Sequence, residues 1–163
     1  MKEIWDLFDK DRNLLSEKQE RNKPIKHGCY HQVASIWIKN NNGEYLMSKR
    51  HPRKAYGGLW ECTGGSIITG ETSLEGAVRE VQEELGIKLE PKEGKLVYSV
   101  RREEMQDFYD AWLFNYDVDI SNLILQESEV TKAKWINRSE LDHMWSKEKI
   151  HPLLAYYKNL LPH

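Results

Sequence analysis

The chain is poor in several things that would point to particular classes of protein. Among 163 residues there are only two cysteines, Cys29 and Cys62, on either side of a strand-like segment. That is too few for the disulfide framework of a small secreted scaffold, so two reduced thiols are expected. No apolar run approaches the length that spans a bilayer. The opening segment MKEIWDLFDKDRNLL is charged throughout and carries no apolar leader. The expected location is therefore the cytoplasm, with no membrane partner. An excess of charge of one sign is also missing. A formal net charge of −2 without a basic patch removes the electrostatic case for a nucleic acid polymer as partner. Internal repeats, low-complexity tracts and long linkers are absent as well.

What is present reads as a single domain over residues 1–163, with 39% hydrophobic and 31% charged residues. Residues 3–15 alternate apolar and polar around Asp9-Lys10-Asp11, which predicts a strand pair. Residues 16–28, with Pro24 and Gly28, predict a loop, so 1–28 form a strand and loop extension. Residues 31–39 and 44–50 predict a hairpin about Asn41-Asn42-Gly43. A short strand, WECTG, then enters a glycine-rich turn. A helix is predicted over 73–85, with Thr72 as cap, Glu75 closing a capping box and Gly86 as stop. KLVYSVRR and FYDAWLFNYDV predict strands, and AKWINRSEL predicts a strand running into a helix. A final amphipathic helix is predicted in 148–163, its stripe of Ile150, Leu153, Leu154, Tyr157 and Leu161 covering the core or meeting a second copy in a homodimer. Strands and helices mix without regular βαβ alternation, which makes the fold class α+β.

The helix over 73–85 raises the chemical question. At about 100° per residue, Glu80, Glu83 and Glu84 share one face, with Arg79 at its edge. Leu74, Ala77, Val78, Val81 and Leu85 form the adjacent apolar stripe. Like charges at such spacings repel by roughly 0.2–0.5 kcal/mol per pair, and either water or a cation absorbs that cost. Gly76 falls among the carboxylates, where a side chain would crowd anything bound there. An isolated E-x-x-E-E on a helix is usually a solvated surface. The full pattern is far more specific: Gly65, Glu71, Arg79-Glu80, Val81, Glu83-Glu84, Gly86, Ile87. Seven fixed positions at typical frequencies of about 6% coincide by chance on the order of once in 10⁹ start sites.

This pattern resembles the complete signature of the Nudix family, and the layout of residues 30–142 resembles the rest of that family's domain. The resemblance implies a mixed β-sheet sandwiched between α-helices, with the signature forming loop–helix–loop. It also implies hydrolysis of a nucleoside diphosphate linked to another moiety, a small-molecule diphosphate substrate, and Mg²⁺ or Mn²⁺ as cofactor. Glu80, Glu83 and Glu84 would be the metal carboxylates, with the Gly64 carbonyl as a further ligand. Arg79 and Glu71 would pair to hold the loop against the helix. Glu80 is the signature's candidate general base, and Glu129 in a later loop competes with it. The chemistry is consistent, because hard divalent ions choose carboxylate and carbonyl oxygens and acidify bound water.

Outside the signature, Arg50, Arg53 and Lys54 are candidates to hold substrate phosphate oxygens. Trp37, Trp60, Phe108, Tyr109 and Trp112 supply either a base-stacking surface or core, and core is the expectation. The segment from His31 to Glu44 also resembles isopentenyl-diphosphate isomerases, whose aligned histidine ligates a metal. Their other metal histidines fall here at Pro24 and Ser66, and their catalytic cysteine at Gly64, two residues from Cys62. Asp110 lies near their catalytic glutamate. With that chemistry incomplete and every hydrolase glutamate intact, hydrolase is expected over isomerase. A non-catalytic binding module is disfavoured for the same reason. His31 is expected to be a strand residue with a structural hydrogen bond, and Cys62 a packing residue. The substrate itself is not written in these motifs.

Overall fold

The computed structural model describes residues 2–163, in nine strands and three α-helices. β1 (Ile4–Phe8) and β2 (Leu14–Glu20) form a two-stranded ribbon of their own. Its turn is closed by the Asp9 carboxylate, which accepts from the Asp11 and Asn13 backbone N–H groups. β2 runs to Glu20 and so takes up part of the stretch expected as loop over 16–28. Five of its seven side chains are polar and the run Ser16-Glu17-Lys18 is exposed throughout, so no alternation marks it; the ladder to β1 makes it a strand.

The main sheet has the order β5 (Trp60–Glu61), β4 (Tyr45–Arg50), β3 (His31–Lys39), β8 (Asp107–Asn115), β7 (Lys95–Arg102). In addition β6 (Gly64–Ser66) pairs with β3, and β9 (Val130–Ile136) pairs with β4. β3 and β8 are parallel from His31↔Asp107 to Lys39↔Asn115, and the other pairings are antiparallel, so the sheet is mixed. The expected hairpin of β3 and β4 pairs only at Lys39↔Tyr45, beside a turn held by the Asn40 side chain. Beyond that point β3 takes β6 as its neighbour, and this opens the sheet where the glycine-rich segment inserts.

Successive strand residues face opposite sides, so β3 feeds two cores. Ala34, Ile36 and Ile38 pack under α1 (Ser73–Leu85) with Ala77, Val81 and Leu85. Trp37 points the other way, into a core closed by Leu141 and Met144 of α2 (Arg138–Ser146) and by Leu154, Tyr157 and Leu161. The sheet is thus sandwiched between helices, as expected of the fold.

The C-terminal helix expected over 148–163 is shorter and differently wound. Ile150 bridges to Trp60 as an extended residue, Pro152–Tyr156 form a 3₁₀ segment, and α3 (Tyr157–Leu160) is a single turn. Pro152 disfavours helical backbone in the residue before it, which delays the start. The stripe of Ile150, Leu154, Tyr157 and Leu161 is buried in the chain's own core. Cys29 and Cys62 are buried free thiols. Among the described residues, no helix is long and apolar enough to cross a membrane.

Candidate active site

α1 is built as its sequence dictates. The Thr72 hydroxyl accepts from the Glu75 N–H at 3.2 Å, the Glu75 carboxylate accepts from the Thr72 N–H at 2.8 Å, and Gly86 ends the helix at φ 71°. With Ala77, Val81 and Leu85 buried against the sheet, Glu80, Glu83 and Glu84 are turned toward a pocket of about 360 Å³. Gly64, Gly65 and Ser66 of β6 form its floor edge, and Arg50, Lys54, Arg79 and Glu129 also line it.

Two glycines permit close approaches here. A Cβ on Gly65 would lie 2.6 Å from the Glu80 carboxylate, so only glycine lets that carboxylate rest on β6. A Cβ on Gly76 would lie 2.5 Å from Ile67 and 3.0 Å from the Glu71 carboxylate. The need for glycine at 76 therefore comes from helix–loop packing, and the expected reason, space for a ligand, is corrected.

Arg79 organises the rim. Its Nε donates to Glu71 Oε1 at 2.7 Å and its Nη2 to Glu71 Oε2 at 3.1 Å, the expected pair, in bidentate form. Nη2 also donates to the Ser66 carbonyl at 3.2 Å, while Nη1 reaches Glu80 at 3.0 Å and Glu83 at 3.2 Å. Loop and helix are tied together by one guanidinium.

The electrostatics of the carboxylates differ. Glu84 is only 5% exposed, and among the described residues no hydrogen bond or ion pair reaches its carboxylate. Burial pushes its pKa up to about 8, and the neighbouring Glu80 charge adds to the shift. Burial raises Glu80 to about 7, although Arg79 opposes it. The Glu83 side chain is half exposed. Buried carboxylates with too little positive charge nearby, beside a strand whose carbonyls are oxygen donors, suit a hard divalent cation. They do not form a closed cage: among the described residues no three acidic, histidine or cysteine side chains are gathered tightly enough to hold an ion. Mg²⁺ keeps several of its waters and needs no such cage.

The remaining expected residues divide. Arg50 lines the pocket and donates to Glu61 at 2.7 Å, and Lys54 lines it in an ion pair with Glu129. Arg53 does not line the pocket. It is exposed in the turn that follows His51, whose ring accepts its backbone N–H, and this turn directs Lys54 inward instead. None of Trp37, Trp60, Phe108, Tyr109 and Trp112 lines the pocket. Trp37 and Tyr109 are core residues hydrogen-bonded to the Tyr156 hydroxyl.

The isomerase constellation does not assemble. Cys62 is 1% exposed in the core, and burial pushes its thiol far up. Asp110 is held by Arg12 and the Ser99 hydroxyl. His31 lacks the structural hydrogen bond expected of it: its Nδ1 is buried without a partner among the described residues, and the ring instead stacks on Trp5 at 4.0 Å.

The sequence reading missed Glu3, Arg21 and Gln126, which also line the pocket. The only trace of the first two is a pair of opposite charges flanking the N-terminal strand pair.

Known proteins match this chain as follows. The family model described as NUDIX domain matches residues 30–156. An uncharacterised Nudix hydrolase of Listeria monocytogenes is 35% identical over 152 residues, covering 92% of this chain and 89% of the relative. An RNA pyrophosphohydrolase of Erythrobacter litoralis is 26% identical over 153 residues, covering 81% of this chain and 93% of the relative. A crystal structure from Deinococcus radiodurans superposes with a TM-score of 0.73 at 18% identity, covering 91% of each chain, a likeness of fold.

Proposed function

The chain belongs to the Nudix family and is a hydrolase of pyrophosphate bonds, and on that premise we propose that it cleaves a nucleoside diphosphate linked to another moiety with Mg²⁺ or Mn²⁺. The observation that carries this reading is the convergence on the pocket, from one face of α1 beside β6, of buried Glu84, which has no ion-pair partner among the described residues, and half-buried Glu80. Glu80, Glu83, Glu84 and the Gly64 carbonyl would hold the cation. When bound there, it neutralises diphosphate charge and acidifies a water.

The chain's own groups supply the rest. Arg50 and Lys54 face the pocket and meet phosphate oxygens through charge-assisted hydrogen bonds. Arg79 fixes the glutamate rim through Glu71. Attack by water forms one P–O bond and breaks the bridging one, and the water's proton passes to a carboxylate, Glu80 or Glu129. The leaving phosphoryl group departs with the bridging oxygen.

Among the described residues Val33 is the one apolar side chain lining the pocket, and no aromatic lines it, so recognition centres on phosphate rather than on a base. A net charge of −2 favours a small molecule over a polymer. The test is a panel of diphosphate compounds, including a 5′-triphosphorylated oligonucleotide, incubated with Mg²⁺ or Mn²⁺ in ¹⁸O-water. One phosphate product should carry label. No hydrolysis of any member, or isopentenyl diphosphate isomerised without label, overturns the reading. Sedimentation at micromolar concentration tests for a homodimer.

A further inference from the structure

The β1–β2 ribbon lies ahead of the matched region 30–156, yet it is fastened to the sheet and to the glycine-rich loop. At one end the Asp6 carboxylate accepts from the Thr69 hydroxyl at 2.7 Å and from the Gly70 N–H at 2.9 Å. The Thr69 N–H donates to the Ile4 carbonyl at 2.8 Å. At the other end Arg12 donates to both Asp110 oxygens, at 3.0 and 2.5 Å, and to Gln32 at 2.6 Å. At the first end Trp5 also lies flat on His31, with 9° between the ring planes, and between the ends Phe8 bridges to Tyr30. A ribbon held along its length is a wall, and this wall brings Glu3 and Arg21 to the glutamate pocket.

Arg21 differs from the other cations there. Arg50, Arg79 and Lys54 have side chains 15%, 23% and 28% exposed; Arg79 and Lys54 are bound to carboxylates that line the pocket, and Arg50 to Glu61 outside its lining. The Arg21 side chain is 56% exposed and, among the described residues, its one ion pair is to Glu3, at 2.8 Å. Its backbone is fixed, because the Arg21 N–H donates to the Glu3 carbonyl at 3.0 Å. Glu3 is held in turn by Trp5, whose Nε1 donates to its other oxygen at 2.7 Å. An exposed ion pair is worth little, so the guanidinium exchanges partner at small cost, and its planar fork matches a phosphate group.

We propose that Arg21 is a substrate-positioning residue, which leaves Glu3 to bind the phosphate chain of the diphosphate substrate, with Glu3 as its internal competitor. This rests on the diphosphate reading above and extends it: the N-terminal ribbon supplies a phosphate clamp from outside the matched domain. A purely structural ion pair makes a different prediction, because removing either partner then breaks the same contact.

The experiment uses that asymmetry. Affinity for methylenediphosphonate, a non-hydrolysable diphosphate, is measured by calorimetry in Mg²⁺ for the full chain and for the variants Arg21→Ala, Arg21→Lys and Glu3→Gln. Arg21→Ala should bind roughly ten-fold more weakly, as expected for losing one charge-assisted hydrogen-bonding group. Arg21→Lys, which keeps the charge and loses the fork, should fall between, and it carries the test if Arg21→Ala misfolds. Glu3→Gln keeps the acceptor for Trp5, frees Arg21, and should bind more tightly than wild type. On a panel compound that is hydrolysed, Arg21→Ala should raise KM with kcat within a few-fold. Parallel losses in Arg21→Ala and Glu3→Gln, no change in either, or no binding of the diphosphonate by wild type overturns the proposal. Hydrolysis by wild type with unresponsive variants refutes the clamp alone. Diverging affinities without hydrolysis of any compound refutes the hydrolase reading alone.

Discussion

Asp110 and Glu84 are carboxylates at nearly the same depth, 2% and 5% exposed, and their acidities shift in opposite directions. Burial by itself raises both. At Asp110 the Arg12 guanidinium and the Ser73 and Ser99 hydroxyls outweigh it and hold the group below the usual carboxylate range. At Glu84 burial is reinforced by Glu80, Lys54 opposes it only in part, and the pKa rises to about 8. Depth alone therefore does not set the charge of a buried acid; its partners do. In the seam between ribbon and sheet the buried carboxylate is fully partnered, which suits attachment. On the face of α1 it is incomplete, which suits a site that gains a cation and an anionic substrate.

The sharpest break of this comparison removes each charge at constant volume. Glu84→Gln should lower turnover by roughly 10²–10⁴-fold, the range for losing a positioned catalytic group, while thermal stability of the metal-free protein holds or rises because a buried carboxyl that resists ionisation has gone. Asp110→Asn should do the reverse. Arg12 loses its partner, at a cost of about 3 kcal/mol by urea denaturation, the low end for a buried pair, since the Arg12 side chain is 30% exposed. Turnover per folded molecule should stay within a few-fold. A destabilised Glu84→Gln or an inactive, stable Asp110→Asn would exchange the roles of the two regions. Next in size is the cation itself: Mg²⁺ at 100 times its dissociation constant should stabilise wild type by about 2.7 kcal/mol. A thermal shift should show this in wild type and Asp110→Asn and not in Glu84→Gln; equal shifts in all three would remove Glu84 from the cation site.

These two regions were not equally legible in the sequence. α1 could be read because everything that makes it is local: the capping box at Thr72 and Glu75, the stop at Gly86, and an apolar stripe that fixes where Glu80, Glu83 and Glu84 must point. The ribbon's seam is made of contacts between distant residues, such as Arg12 with Asp110, and these leave no periodic mark. For the same reason Glu3 and Arg21 stayed hidden, since only the register of β1 on β2 sets them side by side. Arg53 and Lys54 show the limit at single-residue scale, because adjacent loop residues of like charge diverge with the turn that carries them. At the C-terminus the apolar stripe was readable, while its 3₁₀ winding was set by Pro152 and by the bridge from Ile150 to Trp60.

Among the described residues the seam holds one buried group without a partner, and it yields the smallest and most specific prediction. His31 is 7% exposed with Nδ1 unpaired among the described residues, and burial lowers its pKa from 6.5 to about 4. Asp107 pulls the other way but is itself paired with Arg102, and Glu3 and Arg21 from the ribbon act with opposite signs. A neutral imidazole tolerates this place, as an ionised carboxylate would not, and offers its flat face to Trp5. Because the folded-state pKa is the lower one, between about pH 4 and 6.5 the unfolded chain takes up a proton that the folded chain refuses. Unfolding free energy therefore falls with pH in that window, by roughly 2 kcal/mol from pH 7 to pH 5. Asp110 adds nothing there, since its depressed pKa places its loss of stability below the window. Glu80 and Glu84, with raised folded-state values, act in the opposite sense, losing stability as pH rises from 4.5 toward 7 and 8. Urea denaturation of wild type and His31→Phe across pH 5 to 7 cancels that shared contribution and keeps an aromatic ring against Trp5. The stability of His31→Phe relative to wild type should rise by roughly 2 kcal/mol on going from pH 7 to pH 5. A difference that stays constant with pH would mean that His31 takes its proton in the folded chain as readily as in the unfolded one, and that the seam carries a charge it leaves as incomplete as the one on α1.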